Sequence, residues 1–153
     1  MDIDALEARE TGIVLDRFAE DTALQLGAIL MQLAQALKAP LVIDIRDSDR
    51  TYFHVALPGS APLNALWARR KSNTVLLMQR SSFLIGQRNA ANGQTLARHG
   101  LDPADYADHG GAVPVRVRGV GVVAVATVSG LPQAEDHALV LEALEHLAAA
   151  QAG

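Results

Sequence analysis

The chain has 153 residues, 50% of them hydrophobic and 20% charged, a composition that folds around a core rather than staying disordered. Its net charge of −4 gives no general attraction to nucleic acid or an anionic membrane, and the lack of cysteine excludes disulfides, thiolate metal sites and cysteine nucleophiles. No apolar run approaches the roughly 18 residues needed to cross a bilayer, and the acidic start MDIDALEARE has neither the basic nor the apolar region of a signal peptide, so a cytoplasmic protein is expected.

Residues 1–20 read as an N-terminal arm or helix with a short apolar set, and 21–150 as a single domain. From Asp21, a plausible N-cap, apolar residues recur at threes and fours through Leu24, Leu26, Ile29, Leu30, Leu33 and Leu37 until Pro40, which predicts a helix. Leu41–Arg46 and Thr51–Leu57 read as strands joined by Asp47-Ser48-Asp49, hence a hairpin. A second helix starts near Pro62. At about 100° per residue, Leu63, Leu66, Trp67, Thr74, Leu77 and Met78 share a face with Arg70 at its centre and Lys71 at its edge. Ser81–Asn92 predicts a further helix ended by Asn92-Gly93, followed by short helical turns over Gln94–His99 and Pro103–Tyr106.

His109-Gly110-Gly111 then opens a strand in which Val113, Val115 and Val117 alternate with Pro114, Arg116 and Arg118. After a turn at Gly119 and Gly121, the run Val122–Val128 is apolar on both faces, as a central strand would be. A last helix is expected from Pro132, carrying His137, Val140, Leu141 and Leu144 on one face. Helices lying between hairpins specify an α+β domain with helices packed on an antiparallel sheet; at least four strands are visible, and a fifth could lie near Ile13 or within 90–108.

A guanidinium inside an apolar stripe needs a counter-charge, so Arg70 with Lys71 reads either as an anion site or as charge met by a structural partner such as Asp44. His54, in a strand before Pro58-Gly59, could ligate a metal or haem iron or move a proton; otherwise it is a histidine hydrogen-bonded at a sheet end. His109 precedes two glycines that let backbone approach a ligand, or that merely shape the strand entry. His137 fits a neutral core histidine. No metal-binding spacing, triad order or complete dinucleotide fingerprint is present; GVGVVA joins strand to strand. Spacing alone therefore leaves catalysis undecided.

Five segments taken together resemble one family: FHVALPGS (Phe53–Ser60), LWARRKSNTV (Leu66–Val75), RSSF (Arg80–Phe83), YADHGGAVPVRV (Tyr106–Val117) and VATVSGLPQAEDHALV (Val125–Val140). This is the haem-degrading HbpS-like superfamily, in its cytoplasmic branch of bacteria and yeast, and the resemblance runs from about Asp21 to Leu147. It implies an antiparallel sheet of about five strands flanked by helices, broadly profilin-like, in symmetric homo-oligomers. It also implies haem, a related tetrapyrrole or another small anionic, carboxylate-bearing molecule as ligand, with His54, Arg70, Lys71, His109, Gly110 and Gly111 as binding residues. His54 and His109 are then the candidate axial ligands, and no all-protein metal site is implied. The branch pattern extends to Trp67, Ser81, Ser82, Ser129, Gly130 and His137, while Leu63 stands where an acidic residue is expected. The yeast member looks like a non-enzymatic partner in tail-anchored protein delivery, so an oligomeric adaptor is the alternative.

Overall fold

A computed structural model describes residues 2–153. Its helices are α1 (Ile3–Thr11), α2 (Glu20–Ala36), α3 (Pro62–Met78), α4 (Ser82–Asn92) and α5 (Gln133–Ala152), and its strands β1 (Val42–Arg46), β2 (Thr51–Ala56), β3 (Ala112–Val117) and β4 (Gly121–Ser129). The four strands form one antiparallel sheet in the order β2-β1-β4-β3, so the apolar run of β4 is central, as its two-faced pattern requires. Local chemistry fixes the joints. Asp47 accepts from the amides of Asp49 and Arg50 to close the first hairpin. Ser81 caps α4 by accepting from the Leu84 amide, and Gly93 ends it at φ 61°.

The sheet has two unlike faces. One carries Ile43, Ile45, Val113, Val115 and Val128 and packs against Leu26 and Leu30 of α2 and Val140 and Leu144 of α5, forming the main core. Each of these fully buried aliphatic side chains contributes about 1.5–3 kcal/mol. The other face carries Asp44, Thr127, Ala112 and Val125, and α3 lies over it. Polar and small residues under α3 explain why that helix turns a polar face inward.

Several expectations are corrected. Among the described residues the sheet has four strands, not about five: residues 93–108 form the expected short helical turns, a 3₁₀ turn at Leu96–His99 and a turn at 103–105, and Leu15 makes one isolated bridge to Val117. Ala19, not Asp21, precedes α2, its amide donating to Thr22 Oγ1, and Pro132 lies just before the first residue of α5. The largest correction concerns α3. Its inward face is Ala68, Lys71, Ser72 and Val75, whereas Leu63, Leu66 and Leu77 are exposed. The leucine stripe exists, but it points roughly 160° away from the sheet.

Candidate functional site

α3 sets the site, because its successive residues Trp67, Arg70 and Lys71 reach three different surroundings. Lys71 is buried beneath the helix and its ammonium donates to the Gly110 carbonyl at 2.9 Å, the Val128 carbonyl at 2.8 Å and Asp136 Oδ2 at 3.4 Å. Asp136, in the first turn of α5, also accepts from the amides of Gly130 and Leu131. Burial pushes the Lys71 ammonium down and the Asp136 carboxyl up, while their mutual attraction and hydrogen bonds oppose both shifts. Lys71 is thus not the stripe-edge residue that periodicity suggests, and its three protons are already spent on the protein. Gly111 is shaped by the same contact: at φ 137°, any Cβ would press on the Lys71 ammonium and the Val128 carbonyl.

Arg70 does not sit in a buried apolar stripe, nor does it meet Asp44. Its guanidinium lies over the Trp67 ring, 4.4 Å from the centroid, and its Nε donates to the Pro103 carbonyl at 2.8 Å. Neither terminal guanidinium nitrogen has a protein partner among the described residues. The loop opposite is pinned to α3: Asn73 donates to the Asp105 carbonyl, Arg69 pairs with Asp105 at 2.7 Å, and the Ala107 amide donates to Thr74 Oγ1. Between helix and loop lies a cavity of about 420 Å³ bounded by Arg70, Leu96, Leu101, Tyr106 and His109.

His109 separates this cavity from a second, more polar one of about 200 Å³ between α3, the end of β4 and the start of α5. Its ring is tilted against Trp67, with centroids 5.0 Å apart. Lys71 and Gly110 line the polar cavity, with the Gly110 amide donating to Gln133 Oε1 at 2.9 Å. Arg70, Lys71, His109, Gly110 and Gly111 are therefore brought together around the Trp67–His109 wall.

His54 is not. It faces Asp44 across the hairpin and its Nδ1 bonds Asp44 Oδ2 at 2.6 Å, while Arg46 holds the same carboxylate through Nε and Nη2. A row of paired positions, Ala112, Thr127, Asp44 and His54, spans the sheet, so His54 stands three strand spacings, roughly 14 Å, from the edge that His109 leads into. It lines neither cavity. Among the described residues no group of three or more His, Asp or Glu side chains could hold a metal ion.

Ser129, Gln133 and Asp136 also line the polar cavity; Ser129 stood in the family pattern, whereas Gln133 and Asp136 were not singled out in the sequence. Asp136 had a signal: it shares a helical face with Val140 and Leu144, a charged group in a buried stripe. The loop residues Leu96, Leu101 and Tyr106 had none, because their position depends on contacts from α3.

The family model described as "Haem degrading protein HbpS-like" matches residues 18–145. A UPF0303 protein of Streptomyces coelicolor is 50% identical over 141 residues, covering 92% of this chain and 89% of its own length. Another from Paraburkholderia phymatum is 47% identical over 144 residues, covering 94% and 87%. Among solved structures, Ybr137w is similar with TM-score 0.91 and 29% identity over 100% of this chain and 91% of its own. A complex of PduOC with haem shares the fold at TM-score 0.71 and 18% identity, over 84% and 93%.

Proposed function

This chain belongs to the haem-degrading HbpS-like family, and from that premise we propose that it binds a carboxylate-bearing molecule with an apolar body, a tetrapyrrole such as haem in kind, in the cavity between Arg70 and His109. The observation that carries this reading is the state of Arg70. Its guanidinium is stacked on Trp67 and its Nε is committed to Pro103, so the group is held in place with two terminal nitrogens free of protein partners and little ordering left to do. That arrangement suits a carboxylate taken end-on, while Leu96, Leu101 and Tyr106 offer apolar walls. A volume of about 420 Å³ falls within the roughly 300–1,000 Å³ of small-molecule sites. His109 is the imidazole that borders the cavity and is the candidate axial ligand; haem, when bound, would supply iron whose reactivity that ligand tunes. The PduOC complex supports haem as the probe to try first.

Titrating haem into the purified chain and following the Soret band tests this. A saturable shift is expected, weakened about tenfold or more in Arg70→Ala, since hydrogen bonds to a charged group are worth roughly 1.5–3 kcal/mol. His109→Ala should change the band position. No shift with the wild type, or an identical titration in the Arg70→Ala, His109→Ala double variant, would refute the reading.

A second reading, a non-enzymatic oligomeric adaptor, is favoured by one observation: Leu63, Leu66 and Leu77 are each more than half exposed on the outer face of α3. Large apolar side chains grouped in that way mark an association surface.

A further inference from the structure

The polar cavity on the other side of the Trp67–His109 wall has unmet hydrogen-bonding capacity of one kind. Its charges are internally balanced, since all three Lys71 protons and both Asp136 oxygens are engaged by the protein. Asn64 and Gln133 are oriented through their oxygens: Asn64 Oδ1 accepts from the Ala61 amide at 2.8 Å and Gln133 Oε1 from the Gly110 amide at 2.9 Å. What each leaves for the cavity is its NH₂ group, a donor only. Ser129 closes the end of β4, is 4% exposed, and lines the cavity with a hydroxyl that no protein group bonds. That hydroxyl is open to the cavity, where a ligand can bond it as donor or acceptor.

We propose that this cavity is a binding site for a small monocarboxylate of a few heavy atoms, held by the amide nitrogens of Asn64 and Gln133 and the hydroxyl of Ser129. Two NH₂ donors and a hydroxyl match the two planar oxygens of a carboxylate. At about 200 Å³ the space is too small for a tetrapyrrole, so the site does not depend on the reading of the Arg70 cavity.

The chain has one tryptophan, Trp67, whose indole N–H gives a single, unambiguous signal in ¹H–¹⁵N spectra and whose ring lines the cavity. Labelled full-length protein would be titrated with sodium acetate and sodium propionate, with sodium chloride and sodium phosphate as references. Saturable shifts of the Trp67 indole and of the Asn64 and Gln133 side-chain amides are expected with the carboxylates and not with chloride. Affinity should fall at least fivefold in Ser129→Ala. It should fall as far in Gln133→Glu, which keeps an oxygen for the Gly110 amide but exchanges the donor for an acceptor. Haem titration of Ser129→Ala should match that of the wild type, which separates this site from the Arg70 cavity. Shifts that stay linear, saturation by phosphate alone, or unchanged affinity in both cavity variants would each overturn the proposal.

Discussion

His137 is buried in the first turns of α5 with its ring stacked on Phe83, centroids 4.8 Å apart, and neither ring nitrogen meets a protein partner. Burial, with the Arg9 guanidinium adding to it, pushes the imidazole down to about 4, against 6.5 for an ordinary histidine. Because the folded value is the lower one, the unfolded chain takes up the extra proton first as pH falls. The contribution is present in full above about 6.5 and is lost on the way down to about 4, a change of roughly 3 kcal/mol. Urea unfolding at pH 7 and pH 4.5 should therefore show a smaller stability loss in His137→Leu than in the wild type; equal losses would contradict the assignment. This residue was legible in the sequence, since it falls on the face of Val140, Leu141 and Leu144. Arg70 and Lys71 were legible only as anomalies. Periodicity groups residues on a face but does not say which face meets the sheet, and α3 meets a sheet surface holding Asp44 and Thr127. Ser72 bonds Thr127 there at 2.7 Å, so polar residues are the ones that fit inward.

At the scale of elements, α3 and α5 are joined through Lys71 and Asp136. Removing one partner leaves the other charge buried, so Lys71→Met should cost about 3–5 kcal/mol in urea unfolding. Asp136 also holds the amides of Gly130 and Leu131, so its own removal carries a separate cost. The Lys71→Met, Asp136→Leu double variant should nonetheless lose less than the two single losses added together. Strict additivity within about 0.5 kcal/mol would show that the two groups do not sense each other. Both hairpins could be read from the chain, because period-two alternation and turn residues are local signals: Asp47 closes one, and Gly119 and Gly121, at φ 75° and 109°, close the other. The stretch from Gly93 to Asp108 could be read only as short helical turns, which it forms at Leu96–His99 and at 103–105; where those turns lie on the molecule could not be read. Its path is held by Arg70 Nε on Pro103, Asn73 on Asp105 and Thr74 on Ala107, contacts that no nearby pattern encodes. That stretch supplies most of the Arg70 cavity, so the candidate site was less legible than the fold that carries it.

At the scale of the whole molecule, the outer face of α3 links the two readings of function. Leu63, Leu66, Leu77 and Arg70 fall within about 60° of one another around the helix axis, with the leucines 56–60% exposed. If copies of the chain associate over these leucines, sedimentation should give a mass well above 16.2 kDa, and Leu66→Glu with Leu77→Glu should return it toward that value. A double variant that sediments as the wild type does would remove this face as the interface. The same surface lies beside the cavity bordered by Arg70, so an association that shields a ligand bound there from water must also raise ligand affinity, and a bound ligand must tighten the association by the same factor. Haem affinity of the wild type should then rise with protein concentration across the range where the assembly forms, while the double glutamate variant shows no such dependence. Concentration-independent affinity in a wild type that demonstrably assembles would mean that the leucine face and the Arg70 cavity act separately, with adaptor-like assembly and ligand binding as two unrelated properties of one helix.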